Sequence, residues 1–111
     1  MKREPMNLLK ETLDGQPIEE FAKRIAWAKI CVDIDNKQRI ICLEPEHTEE
    51  GAMEFLKKLD FEYDNDFGMQ YVYGIIMFND NTWLERDEYD GSEWWDPREI
   101  PEYSKINFID L

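Results

Sequence analysis

The chain is poor in the residues that catalysis and extracellular folding draw on. Among 111 residues it has one histidine, two cysteines, five glycines and five prolines. The histidine, His47, lies in the polar loop Glu44-Pro45-Glu46-His47 with no serine or cysteine motif beside it. It reads as an exposed loop residue, not a general base or metal ligand. Cys31 and Cys42 are too few for a secreted disulfide framework and read as reduced thiols of a cytoplasmic protein. There is no glycine-rich phosphate loop and no Cys-x-x-Cys pair. No run approaches the roughly 18 apolar residues of a membrane span. Met1-Lys2-Arg3 leads into Glu4-Pro5, not into an apolar secretory segment. Basic side chains are scarce as well: 13 Lys and Arg stand against 26 Asp and Glu, a net charge of −13. Such a field repels a polyanion, so direct nucleic-acid binding is excluded. The expectation is a cytoplasmic protein with no catalytic residues, metal, cofactor or membrane contact.

What is present is apolar payload and acid. Hydrophobic residues make up 42% and aromatics 14%, enough for the core of one domain. The acid is unevenly spread. Residues 1–43 carry eight bases and seven acids, net +1, whereas residues 44–111 carry five bases and nineteen acids, net −14. An imbalance between halves points to an interaction surface.

The hydrophobic periodicity places the elements. Met6 to Leu13 reads as a short helix or arm closed by Asp14-Gly15. Pro17 fits the first position of a second helical stripe, Ile18, Phe21, Ala22 and Ile25. Alternation then predicts strands at Ile30–Ile34 and Arg39–Leu43, joined at Asn36-Lys37. That register sets Ile30 against Leu43, Val32 against Ile41 and Cys31 against Cys42. Thr48 is the expected N-cap of the main helix, about 48–59, with Ala52, Phe55, Leu56 and Leu59 on its buried stripe. An acidic loop from Asp60 to Gly68 includes Asp64-Asn65-Asp66, a fragment of a calcium loop that lacks the distal glutamate. Strands follow at Tyr71–Phe78, Trp83–Tyr89 and Ser92–Trp95, the last two joined by Asp90-Gly91, a type I′ hairpin signal. Pro97 and Pro101 are expected to end the meander. The fold class is therefore α+β, an antiparallel sheet of about five strands from two hairpin units, packed with the main helix and a short N-terminal helix. Residues 1–111 form one domain, with an N-terminal arm at 1–15 and a C-terminal wrap at 97–111. Trp27 and Trp83 are expected in the core. Trp94 and Trp95, adjacent in a strand, point to opposite faces, one inward and one exposed.

The acids of the second meander form the candidate site. Glu85 and Asp87 share one strand face about 6.5–7 Å apart, and Glu88 and Asp90 lie on the other. Glu93 follows across the turn, and Asp64 and Asp66 support them from the preceding loop. Fixed carboxylates at this spacing imitate a row of phosphates, and Trp94 beside them is interface material. The acids at the helix start, Glu44, Glu46, Glu49 and Glu50, form a competing patch.

The run from Trp83 to Trp95, with its Tyr-Asp-Gly-Ser-Glu-Trp-Trp string, followed by Pro97 and Ile100-Pro101, resembles the C-terminal hairpin of small acidic bacteriophage proteins. The resemblance covers about a fifth of the chain and implies a phage or prophage origin, with no catalytic residue to carry over. By class alone it is similar to phage anti-defence DNA mimics, anti-CRISPR and anti-restriction proteins among them. The expected function is a non-enzymatic inhibitor that occludes the cationic nucleic-acid site of a host defence or DNA-processing enzyme. Its partner would be a basic host protein or nucleoprotein complex. An immunity or antitoxin protein against a basic nuclease, and a virion accessory protein, are the alternatives. The sequence leaves a dimer open.

Overall fold

The computed structural model describes residues 5–64 and 69–101. The chain opens with β1 (Met6–Asn7), α1 (Leu8–Leu13) and α2 (Ile18–Arg24), continues through β2 (Ile25–Ile34), β3 (Lys37–Leu43) and α3 (Glu49–Lys57), and ends with β4 (Glu62–Tyr63), β5 (Val72–Phe78), β6 (Thr82–Tyr89) and β7 (Ser92–Glu99). β1 and β4 form a two-stranded ribbon, and the other five make an antiparallel sheet in the order β3-β2-β5-β6-β7. The α+β class is as expected from the sequence. No helix among the described residues is long and apolar enough to cross a membrane.

Local chemistry fixes the helix ends. The Asn7 side chain accepts the Lys10 amide at 3.0 Å, and α1 stops at Asp14, which adopts a left-handed conformation (φ 47°). Thr48 caps α3 by accepting the Gly51 amide at 3.0 Å, with Glu49 and Glu50 in the first turn where the helix dipole favours them. Pro17 stands one position earlier than expected, as the N-cap of α2 in extended conformation. Ile25 keeps its place in the core but opens β2 instead of continuing the helix.

Alternation sorts the sheet into two faces. Ala28, Ile30, Val32, Ile41, Leu43, Val72, Ile76 and Phe78 point inward and pack with Leu8, Phe21, Ala22, Ala52, Phe55, Leu56 and Leu59 from the helices and the α3 exit. Each buried Val, Leu, Ile or Phe among them contributes about 1.5–3 kcal/mol by leaving water. Gly74 lets β5 press against β2: its φ is 142°, and a Cβ there would meet the Lys29 carbonyl at 2.3 Å.

Three expectations are corrected. The first hairpin turns at Asp35-Asn36, both with positive φ (55° and 61°), because aspartate and asparagine tolerate the left-handed region that a type I′ turn demands. The register therefore shifts by two: Ile30 faces Ile41, Cys31 faces Ile40, and Cys42 faces Lys29. A shift of two preserves the faces but separates the thiols, which are both free. Second, β7 runs through Pro97, which pairs with Leu84, as far as Glu99. β7 is the edge strand, where a missing ladder donor is tolerated, so residues 97–99 are sheet and not surface wrap. Of the remainder of that wrap, Ile100 and Pro101 are exposed and outside any strand, and residues 102–111 lie outside the described residues. Third, Trp27 and Trp83 are only half-buried, because both stand on the face away from the helices.

Candidate functional site

β6 and β7 are joined by the expected type I′ turn, Asp90 (φ 51°) and Gly91 (φ 84°). Its register sets Asp87 against Trp94 and Glu85 against Asp96, all on the face away from the helices. Arg98 reaches into this group. Its Nη2 lies 3.0 Å from Asp87, 3.3 Å from Asp96 and 3.5 Å from Glu85. Three carboxylates on rigid strands thus converge on one guanidinium. The hydrogen bond to Asp87 is the main reason the Arg98 pKa is raised, helped by the fields of Glu85, Asp87 and Asp96 against a smaller burial cost. The Trp83 indole N–H leans on Glu85 at 3.4 Å. Trp94 is 41% exposed beside Asp87, while Trp95 turns inward and donates to Thr12 at 2.8 Å. The two tryptophans divide between the faces as the strand period requires.

Glu88 and Asp90 are exposed at the hairpin tip, where Glu88 accepts the Gly91 amide at 3.2 Å. Asp64 is exposed but lines a different depression, with Ile34, Asp35 and Tyr71. Asp66, like most of the calcium-loop fragment, lies outside the described residues. The competing patch at Glu44, Glu46, Glu49 and Glu50 is exposed before and along the first turn of α3. His47 belongs to that loop, its Nδ1 2.8 Å from the Glu44 carbonyl.

Glu93 is not a surface contact. It is 2% exposed and faces the core side of the hairpin. Its Oε1 takes the Nη2 (2.9 Å) and Nε (3.1 Å) of buried Arg86, and its two oxygens accept the amides of Tyr71 (2.7 Å) and Val72 (3.0 Å). The β5–β6 ladder covers only Ile75–Met77 against Trp83–Glu85. Where it stops, the Glu93 carboxylate supplies the acceptors. Arg86 also pairs with Glu11 of α1 at 3.0 Å, bonds the Tyr63 hydroxyl, and lies over the Trp95 ring. Burial pulls the Arg86 pKa down, but Glu11, Tyr63 and Glu93 outweigh it and raise it. Burial, then the hydrogen bond to Glu11, pushes the Tyr63 hydroxyl far above its ordinary value. Every member is satisfied, so the cluster is a fixed internal brace.

Sequence reasoning missed this brace and its members Glu11, Tyr63 and Arg86. One signal was present. With Asp90-Gly91 as the turn, Glu93 falls opposite Glu88, a repulsive pair unless one of them turns to a cation. Arg86 stands two residues before Glu88, on the same face.

No protein-family model matches the chain, and no curated protein or solved structure shows significant similarity to it.

Proposed function

We propose that the chain is a non-catalytic acidic inhibitor of phage type. It occupies the cationic nucleic-acid site of a host defence or DNA-processing enzyme by presenting carboxylates in place of phosphates. The observation that supports this reading most strongly is the convergence of Glu85, Asp87 and Asp96 on the Arg98 guanidinium. The arrangement already receives one arginine, so arginine and lysine side chains of a partner have a receiving surface of matching chemistry. Strand-borne carboxylates lose little entropy on binding, and a net charge of −13 steers encounter with a basic cleft. The resemblance of residues 83–101 to phage hairpins supports the class.

The test is capture from a bacterial lysate with the tagged full chain, followed by DNA-binding assays on what is captured. The expected result is a nucleic-acid enzyme whose DNA binding falls when the chain is added and whose capture weakens from about 50 to about 300 mM salt. Recovery only of proteins without a nucleic-acid site contradicts the reading.

A further inference from the structure

The helix-free face of the sheet has two unlike halves. Register pairing lays out its rows from strand to strand. One row reads Cys42, Lys29, Ile75, Glu85, Asp96, and the next reads Ile40, Cys31, Tyr73. The β6–β7 half carries Glu85, Asp87 and Asp96 around Arg98, with Trp83 and Trp94 beside them, while the β3–β2–β5 half is largely apolar around one exposed cation, Lys29. There Ile40 is 53% and Tyr73 45% exposed. They flank an open groove of about 400 Å³ whose walls include Trp27, Cys31, Ile75 and the stem of exposed Lys29. Among the described residues nothing covers it. A contiguous apolar groove rimmed by charged residues has the character of an interaction site.

Dimension and charge select the occupant. Three neighbouring strands span about 10 Å, the width of one α-helix. Carboxylates border the groove on its β6 side, so an occupant with cations along that flank is favoured. A second copy of the chain would bring another net −13 against this face, and an anionic bilayer or nucleic acid would be repelled by the same acids.

We infer that this face takes a basic amphipathic helix of a protein partner. The apolar stripe of the helix lies over Ile40, Tyr73 and Ile75, and its Lys or Arg side chains face Glu85, Asp87 and Asp96. The inference rests on the acidic-binding reading and adds to it an apolar contact that a phosphate row does not make. It is a helix-in-groove mode, in which burial supplies affinity and charge sets orientation.

The test uses the isotope-labelled full chain and three synthetic peptides of about 18 residues. One is a Lys/Leu helix with leucines on one face, one is the same composition with the leucines scattered, and one is a Lys/Gly peptide of equal charge. The faced helix should bind at least about tenfold more tightly than the scattered one. Its NMR shifts should centre on Ile40, Tyr73 and Ile75 and on the indoles of Trp27 and Trp83. Ile40→Ser, an uncharged change at a position that is 53% exposed, should weaken it about tenfold while leaving the Lys/Gly peptide unaffected. Equal binding of all three peptides, or shifts confined to β6–β7, overturns the helix inference and leaves the acidic reading intact. No binding of any basic peptide overturns both. Self-association in sedimentation that protects Ile40 and Tyr73 assigns the face to a second copy and overturns the inference.

Discussion

Arg86 and Glu93 meet across the β6–β7 hairpin with side chains 0% and 1% exposed, Nη2 to Oε1 2.9 Å. The pair fastens the hairpin twice, to the start of β5 through the Tyr71 and Val72 amides and to α1 through Glu11. The acidic outer face is held rigid by this ion pair on the opposite side of the same two strands. Breaking a buried pair by removing one partner leaves an uncompensated charge. Glu93→Ala should therefore destabilise the chain by about 3–5 kcal/mol, read as a fall in the urea midpoint. A loss below about 1 kcal/mol would show the brace to be dispensable.

Tyr63 gives a pH signature. Its folded-state pKa is raised, by burial first and then by the hydrogen bond to Glu11. The folded state thus holds a proton that the unfolded chain releases near pH 10, so this contribution to stability is complete below about pH 10 and declines above it. In a spectrophotometric titration one of the five tyrosines should ionise only together with unfolding. Tyr63→Phe should remove that late step. Ionisation of all five while the fold persists would contradict the assignment.

Gly74→Ala tests the close approach of β5 to β2. The added methyl meets the Lys29 carbonyl at 2.3 Å, at a φ of 142° that side chains avoid. A loss of roughly 2–4 kcal/mol is expected from strain alone, measured by thermal or urea unfolding. A neutral change would mean that the strands separate there without cost.

Arg98 competes for the carboxylates that a partner would use. Arg98→Ala should leave the melting temperature almost unchanged, since the side chain is exposed. It should tighten binding of the Lys/Gly peptide and steepen its salt dependence by about one charge. Weaker binding would show that Arg98 organises the site instead of occupying it.

The local signals were legible where a single residue type decides the geometry. Thr48 capped its helix, Asp90-Gly91 turned its hairpin, and the alternation of Ile30 and Val32 in β2 marked the core face of that strand. The first hairpin differs from its expected register by two because the turn falls on Asp35-Asn36, the pair that tolerates positive φ, and not on Asn36-Lys37. Pro97 reads as a strand end in sequence because edge position is a tertiary fact. β1 and β4, two residues each, are too short to show a period. Glu93 looked like any exposed acid. Its burial depends on Arg86, which is itself paired with a residue 75 positions away, and on a short β5–β6 ladder that no local pattern announces.

The central claim is that binding runs through the outer face of β6–β7. Two charge-reversal variants test it most directly, Glu85→Lys with Asp87→Lys and Asp96→Lys, and Glu46→Lys with Glu49→Lys and Glu50→Lys. Their affinities for the captured enzyme are compared at about 50 and about 300 mM salt. The account predicts that both variants fold and that the first loses far more affinity, chiefly at low salt, through lost steering and contact. A larger loss in the second would place the binding surface at the start of α3 and contradict it.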